Sequence, residues 1–181
     1  MEQEYTITAF SENSIGLLNR ITIIFTRRHL NIESLTVSQS SLPGIHKFTI
    51  VIITTQEKIE KVVKQIEKLV EVLKAFFHTN DEIIRQEIAL YKVPTDALLK
   101  TNEIENIVRT HGARILEVTP DYTVIEKTGY KHETQELFEL LDRVSGTLQF
   151  TRSGIVAITK NKFELLTQYL KEMEKLNYST N

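Results

Sequence analysis

The chain has 181 residues, of which 41% are hydrophobic and 25% charged, and its formal net charge is -2. These values are typical of a soluble globular protein with one medium or two small domains, and they provide no basic excess that would attract nucleic acid or anionic lipid. The sequence contains no cysteine, which excludes disulfides, thiolate catalysis and thiolate-ligated metal sites.

The first half of the chain follows a β-α-β-β-α-β order. Apolar residues at helical spacing, beginning at Leu17 and again at Ile59, predict two amphipathic helices. Ser11 or Asn13 is predicted to cap the first of them, and "LPG" at 42–44 is a turn signal. The four strands are predicted over residues 5–10, 31–40, 46–54 and 70–77.

The second half repeats this order without significant residue identity to the first. A helix around Ile104 and Val108 is predicted to stop at Gly112, and a second helix covers 132–146. Strands are predicted over 82–93, 113–119, 122–129 and 147–159, the last as one strand or as two strands broken at Gly154. A final amphipathic helix is predicted over 162–176.

These patterns predict an α+β fold of two tandem ferredoxin-like βαββαβ domains plus a C-terminal helix. The boundary is placed in "HTNDE", giving domains of 1–79 and 80–181, the second carrying the terminal helix. We expect that helix to pack on the second domain, with docking on a partner as the alternative. Each domain is small and leaves one sheet face uncovered by helices, so we expect at least a homodimer.

Neither a leader nor a membrane span is predicted. The first ten residues lack a basic segment followed by an apolar one, and no apolar run approaches the roughly 18 residues of a span. We therefore expect a cytoplasmic protein.

Polar residues flank the first helix and form a candidate binding site. Unpaired N–H groups at a helix start favour a carboxylate, Gly16 allows close approach of a ligand, and the Asn31 amide offers both donors and an acceptor. Asn13 and Ser14 are expected to face Asn31 across the ends of neighbouring elements. The alternative is purely structural: Asn13 caps the helix, Gly16 relaxes a turn and Asn31 starts a strand.

No catalytic motif has suitable spacing. None of the five histidines lies within four residues of another, and no phosphate-binding glycine loop or Gly-x-Ser-x-Gly motif occurs. An acylphosphatase-like hydrolase would need an Arg/Asn pair, for which Arg20 with Asn13 or Asn31 is the available choice.

The stretch "ENSIGLLNRITIIFTRRHLNIESLTV" (12–37) resembles the ACT domain of the small regulatory subunits of acetolactate synthase. Segments at 64–74, 85–93, 115–124 and 151–159 resemble later blocks of the same family, in order. The resemblance implies a non-catalytic chain that binds the large catalytic subunit, activates it and confers feedback inhibition by valine, in some members also by leucine or isoleucine. It also implies no cofactor in this chain, because thiamine diphosphate, Mg²⁺ and FAD belong to the catalytic partner.

The resemblance places the effector between two ACT domains of a homodimer. The corresponding positions are Asn13, Gly16, Leu17, Asn31 and Ile32. The family usually has glycine after the first helix where this chain has a histidine, at position 29, so a left-handed residue is expected there. A stand-alone ACT amino-acid sensor with another partner is the alternative function.

Overall fold

The computed structural model describes residues 1–100 and 102–179 and confirms the α+β class. The described chain forms two antiparallel sheets with helices. It divides into two compact units: Met1–Ile84 together with the C-terminal segment from Ala157, and Arg85–Val156.

The first unit contains a four-stranded sheet and two helices in the predicted β-α-β-β-α-β order. Its elements are β1 (Gln3–Glu12), α1 (Leu17–Thr26), β2 (Ser34–Gln39), β3 (Ile45–Thr54), α2 (Gln56–Ile66) and β4 (Val72–His78). The sheet order β2-β3-β1-β4 is the ferredoxin-like arrangement and leaves β2 and β4 at the edges. A 3₁₀ turn, Asn80–Glu82, follows β4 at the predicted boundary.

The core of the first unit lies between the sheet and its two helices. Alternate residues of β1 point toward the helices, where they meet apolar positions spaced three or four residues apart on α1 and α2. The fully buried members from these three elements are Tyr5, Ile7, Ala9, Leu17, Ile21, Phe25, Ile59, Val62 and Ile66.

The second unit repeats the arrangement. Its elements are β5 (Ile83–Pro94), α3 (Thr95–Lys100), α4 (Glu103–Thr110), β6 (Arg114–Val118), β7 (Tyr122–Gly129), α5 (Lys131–Ser145) and β8 (Gln149–Arg152). A further strand, β9 (Val156–Thr159), begins at the last residue of this unit and continues into the C-terminal segment of the first unit. The sheet order is β6-β7-β5-β8, and β9 also pairs with β5. Gly112 adopts a φ of 59° after α4, as predicted for a helix stop, and the last predicted strand is two strands with Gly154 at a φ of 78° between them. The short helix α3 was not predicted, because only Pro94 signalled a break there.

The C-terminal segment lies on the first unit, where it covers a sheet face that the helices leave open. β1 is buried on both faces over residues 5–11, and Thr8 and Phe10, on the face away from α1 and α2, line a cavity together with Ala157 and Leu165. The segment contains α6 (Leu165–Ser179), in which Leu166 is fully buried. The structure thus differs from the expectation that this helix packs on the second domain and that residues 80–181 form one body.

In the described ranges, none of the helices is long and apolar enough to cross a membrane.

Candidate functional site

Gly16 forms the N-terminal cap of α1. Its φ of 80° and ψ of -4° place it in the left-handed region, and α1 has no side-chain cap hydrogen bond. The prediction that Ser11 or Asn13 caps this helix is therefore wrong: Ser11 is buried in β1 and donates its hydroxyl to the Glu12 carbonyl. A Cβ built on Gly16 would meet no atom within 4 Å, so the backbone conformation, not crowding, requires glycine.

The tip of α1 is open and carries hydrogen-bond donors. The Leu17 N–H donates to the Ser14 carbonyl at 3.3 Å, whereas the following first-turn amides have no acceptor within the helix. Ile15 and Leu18 expose apolar side chains beside them, and Asn13 is also exposed. This surface combines N–H groups, a favourable helix dipole and apolar contacts, and so suits a small carboxylate with an apolar side chain.

Arg20, one turn into α1, is paired with Glu71. The guanidinium lies 2.5 Å from the Glu71 carboxylate, and its hydrogen bond lowers the pKa of Glu71. The Glu12 N–H also donates to the Glu71 carbonyl at 2.9 Å, which attaches the end of β1 to the start of β4. Arg20 therefore has an internal counter-ion, which weakens the acylphosphatase-like alternative. Sequence reasoning missed this pair because its members are 51 positions apart.

Asn31 lies beyond the other end of α1. His29 has a φ of 52°, which confirms the predicted left-handed residue, and the Leu30 N–H returns to the Phe25 carbonyl to close the helix. Asn31 is exposed and Ile32 packs against the core. The strand begins at Ser34, three residues later than predicted.

Strand register shows that Gly16 and Asn31 of one chain do not come together. Ser34 pairs with Val51, which pairs with Thr6, whereas Gln39 pairs with His46, which pairs with Ser11. Thr6 and Ser11 are five residues apart on β1, or about 17 Å at about 3.3 Å per residue. Asn31 precedes Ser34 in the chain and lies beyond the end of the sheet near Thr6. Gly16 follows Ser11 and lies beyond the opposite end.

The predicted apposition of Asn13 and Ser14 with Asn31 within one chain is therefore wrong. The prediction overlooked that α1 returns the chain to the opposite end of the strands before β2 begins. Leu17, predicted beside the ligand, is 1% exposed and belongs to the core. Within one chain the candidate residues thus divide into two candidate half-sites: the α1 tip, with Asn13 and Gly16, and the Asn31–Ile32 segment.

No group of three or more His, Asp or Glu side chains is arranged to hold a metal ion in the part of the chain that the structure describes.

Two protein families match the chain in succession. Residues 7–74 match the family described as the AHAS small subunit-like ACT domain, and residues 86–161 match the family described as the small subunit of acetolactate synthase. An ACT domain followed by a second ferredoxin-like unit is the class of protein that the fold and these matches define.

Relatives match over most of their length. The chain is 36% identical over 155 residues to the acetolactate synthase small subunit of Bacillus subtilis, covering 85% of this chain and 89% of the relative. It is 31% identical over 156 residues to a probable acetolactate synthase small subunit of Methanothermobacter thermautotrophicus, covering 86% and 92%. The crystal structure of the acetolactate synthase small subunit from Thermotoga maritima superposes with a TM-score of 0.80 at 29% identity, covering 89% of this chain and 99% of that one. The chain belongs to the acetolactate synthase small-subunit family.

Proposed function

We propose that this chain is the regulatory subunit of an acetolactate synthase, that it binds and activates the catalytic subunit, and that it confers feedback inhibition by valine. The observation that carries the proposal is the match of both units, in order, to relatives named as small subunits over 89% and 92% of their length. Thiamine diphosphate, Mg²⁺ and FAD would be held by the catalytic partner, and no cofactor is assigned to this chain.

Pairing of two chains through β2 would unite the two half-sites. β2 lies at an edge of its sheet, and a twofold axis would set it antiparallel to the β2 of a second copy. The start of one strand, near Asn31, would then lie opposite the end of the other, near Gln39. Gln39 pairs with His46, which pairs with Ser11, and α1 begins shortly after Ser11. The end of β2 in the partner would therefore lie at the same end of its sheet as the tip of its α1. Exposed Val37 would be covered at the same interface.

Valine would bridge the two chains in this arrangement. Its carboxylate would meet the α1 N–H groups beside Gly16, and the Asn31 amide of the other chain would hold its polar end. Its isopropyl group would contact half-buried Ile32 and Leu35. One methylene discriminates by about 1–3 kcal/mol, so the same arrangement admits leucine and isoleucine with modest differences in affinity.

Inhibition also needs a thermodynamic link to the catalytic partner. Valine must bind the low-activity arrangement of the complex more tightly, with a coupling free energy of about 1–3 kcal/mol.

Reconstitution tests the proposal. The catalytic subunit from the same source is assayed for acetolactate formation while this chain is titrated in, without effector and with valine, leucine or isoleucine. We expect turnover to rise with added chain and valine to reverse the rise. Unchanged turnover at every ratio would refute the partnership.

Asn31→Ala tests the site separately. We expect this variant to activate normally but to lose valine inhibition. Asn80→Ala, which changes an exposed asparagine elsewhere in the same unit, should behave as the wild type. Full valine sensitivity of Asn31→Ala would reject the proposed valine site but would leave the proposed binding to the catalytic subunit unaffected.

A further inference from the structure

A cavity of about 290 Å³ lies within the first unit, on the sheet face away from α1 and α2. Its floor comes from β1, β3 and β4, and its roof from the C-terminal segment that includes Leu165. The volume corresponds to roughly ten water molecules at about 30 Å³ each, near the lower end of the range for ligand sites. A cavity of this size restricts an occupant to a small molecule.

Aromatic side chains form the apolar part of the wall. The rings of Phe10 and Phe76 meet edge to face with centroids 6.4 Å apart, and Ile83 and Leu165 complete this side. An apolar group of a few carbons would find contacts here that water does not provide.

Two groups of opposite charge line the same cavity. The Lys47 ammonium donates one hydrogen bond to the Ala157 carbonyl at 2.9 Å and lies 5.8 Å from the centre of the Phe10 ring. Burial lowers the pKa of Lys47, while the negative charge of Glu164 raises it. An ammonium has three donors, so further N–H groups of Lys47 are available to an occupant.

His78 supplies an orphaned polar atom. Its side chain belongs to a residue that is only 7% exposed, it lines the cavity, and its Nε2 has no hydrogen-bond partner in the described structure. Buried polar atoms without a partner are rare in native structures, and this one marks the wall of the cavity that β4 forms.

We propose that this cavity binds a small apolar α-amino acid at a site separate from the chain interface. Lys47 would donate to the carboxylate, Glu164 would accept from the ammonium group, and the side chain would contact Phe10 and Phe76. A cation and an anion in one cavity with aromatic walls match a zwitterion better than a simple acid, which Glu164 would repel. The site is complete within one chain.

Hydrogen exchange of the full-length chain, followed by mass spectrometry, locates the binding. The probes are valine, leucine and phenylalanine at millimolar concentration, with 3-methyl-2-oxobutanoate as the analogue of valine that lacks the amino group. We expect slower exchange in 74–78 and 157–166 with at least one amino acid, and at least tenfold weaker binding of the oxo acid by calorimetry. Glu164→Gln should reduce that preference.

Lys47→Met and a matched control test the contacts. Lys47→Met keeps most of the side-chain length and should weaken binding at least tenfold. Lys74→Met also removes a lysine near the C-terminal segment, because Lys74 lies 5.4 Å from the Tyr169 ring, but it does not line this cavity and should bind as the wild type. Hydrogen exchange of each variant without added amino acid should match that of the wild type, which shows that folding is intact.

The outcomes separate this site from the interface site. Protection confined to 14–19 and 31–37, no protection with any probe, or unchanged binding by Lys47→Met would each overturn the cavity proposal. Protection at 74–78 and 157–166 that survives Asn31→Ala would support it, even if the interface site failed.

Discussion

Replacing Gly16 with aspartate is expected to abolish valine inhibition while activation of the catalytic subunit is retained. The new carboxylate would stand at the α1 tip, where the effector carboxylate is proposed to bind. Gly16→Asn is the matched control, because asparagine has nearly the same size, is also tolerated in the left-handed region and carries no charge.

The structure sets the magnitude of this effect. At a φ of 80° both substitutions carry a backbone cost of about 1–2 kcal/mol, partly offset by about 0.4–1 kcal/mol from the lower entropy of the unfolded chain. Neither side chain meets a clash at its Cβ. Only the charge differs: two carboxylates about 4 Å apart repel by about 1 kcal/mol in water and about 4 kcal/mol near a protein surface. At about 1.4 kcal/mol per tenfold change, valine binding weakens by about fivefold to about 700-fold.

The assay is acetolactate formation by the reconstituted complex, with valine titrated against wild type, Gly16→Asp and Gly16→Asn. The midpoint of inhibition should move far more for aspartate than for asparagine. Urea unfolding of both variants should agree within about 1 kcal/mol, which shows that the backbone cost is shared. Equal midpoints for the two variants would refute the placement of a carboxylate at this helix tip.

Three further predictions concern stability. Ile21→Ala should lower the free energy of unfolding by about 2–5 kcal/mol because Ile21 is fully buried. Ile23→Ala, at a partly exposed position, should lower it by less than about 1 kcal/mol. Similar losses for the two variants in urea unfolding would contradict the assigned helix face. Leu166→Ala should likewise lower the free energy of unfolding by about 2–5 kcal/mol. Met173→Ala, on the exposed side of α6, should lower it by about 0.5 kcal/mol or less. If neither variant changed the free energy of unfolding, the packing of α6 would be contradicted. Burial lowers the pKa of His78 below its ordinary 6.5. The unfolded chain therefore binds this proton at a higher pH than the folded chain, and the free energy of unfolding should fall as the pH drops below about 6.5. His78→Gln should reduce this dependence of stability on pH, and an unchanged dependence would argue against a buried neutral imidazole.

Local patterns predicted the elements well because their causes are local. The alternation in β1 and the helical spacing from Leu17 to Phe25 depend only on which face is buried. Gly112 was predicted at a helix end because a left-handed residue there depends on the neighbouring turn. The left-handed residue at His29 was instead predicted from the glycine that the family usually has at that position, and both residues have positive φ values.

The sequence was a poor guide where a feature depends on distant residues. Asn31 and Asn13 are close in the sequence, yet the register of β1, β3 and β2 puts them at opposite ends of the sheet. The amphipathic pattern of α6 shows that one face is buried but not which surface covers it, and the covering surface is on the first unit. The cavity beside Lys47, His78 and Glu164 collects residues from three distant segments, so no local motif signals it.

The opposite placement of the two half-sites has a thermodynamic consequence. An effector that needs Gly16 from one chain and Asn31 from another binds only the paired form, so it stabilises pairing and its apparent affinity rises with chain concentration. A ligand in the cavity contacts one chain only, so dilution leaves its affinity unchanged unless the cavity is itself linked to pairing. Because effector binding and pairing would be one equilibrium, any substitution that weakens the β2 edge should weaken valine inhibition as well, even when it lies far from Gly16 and Asn31.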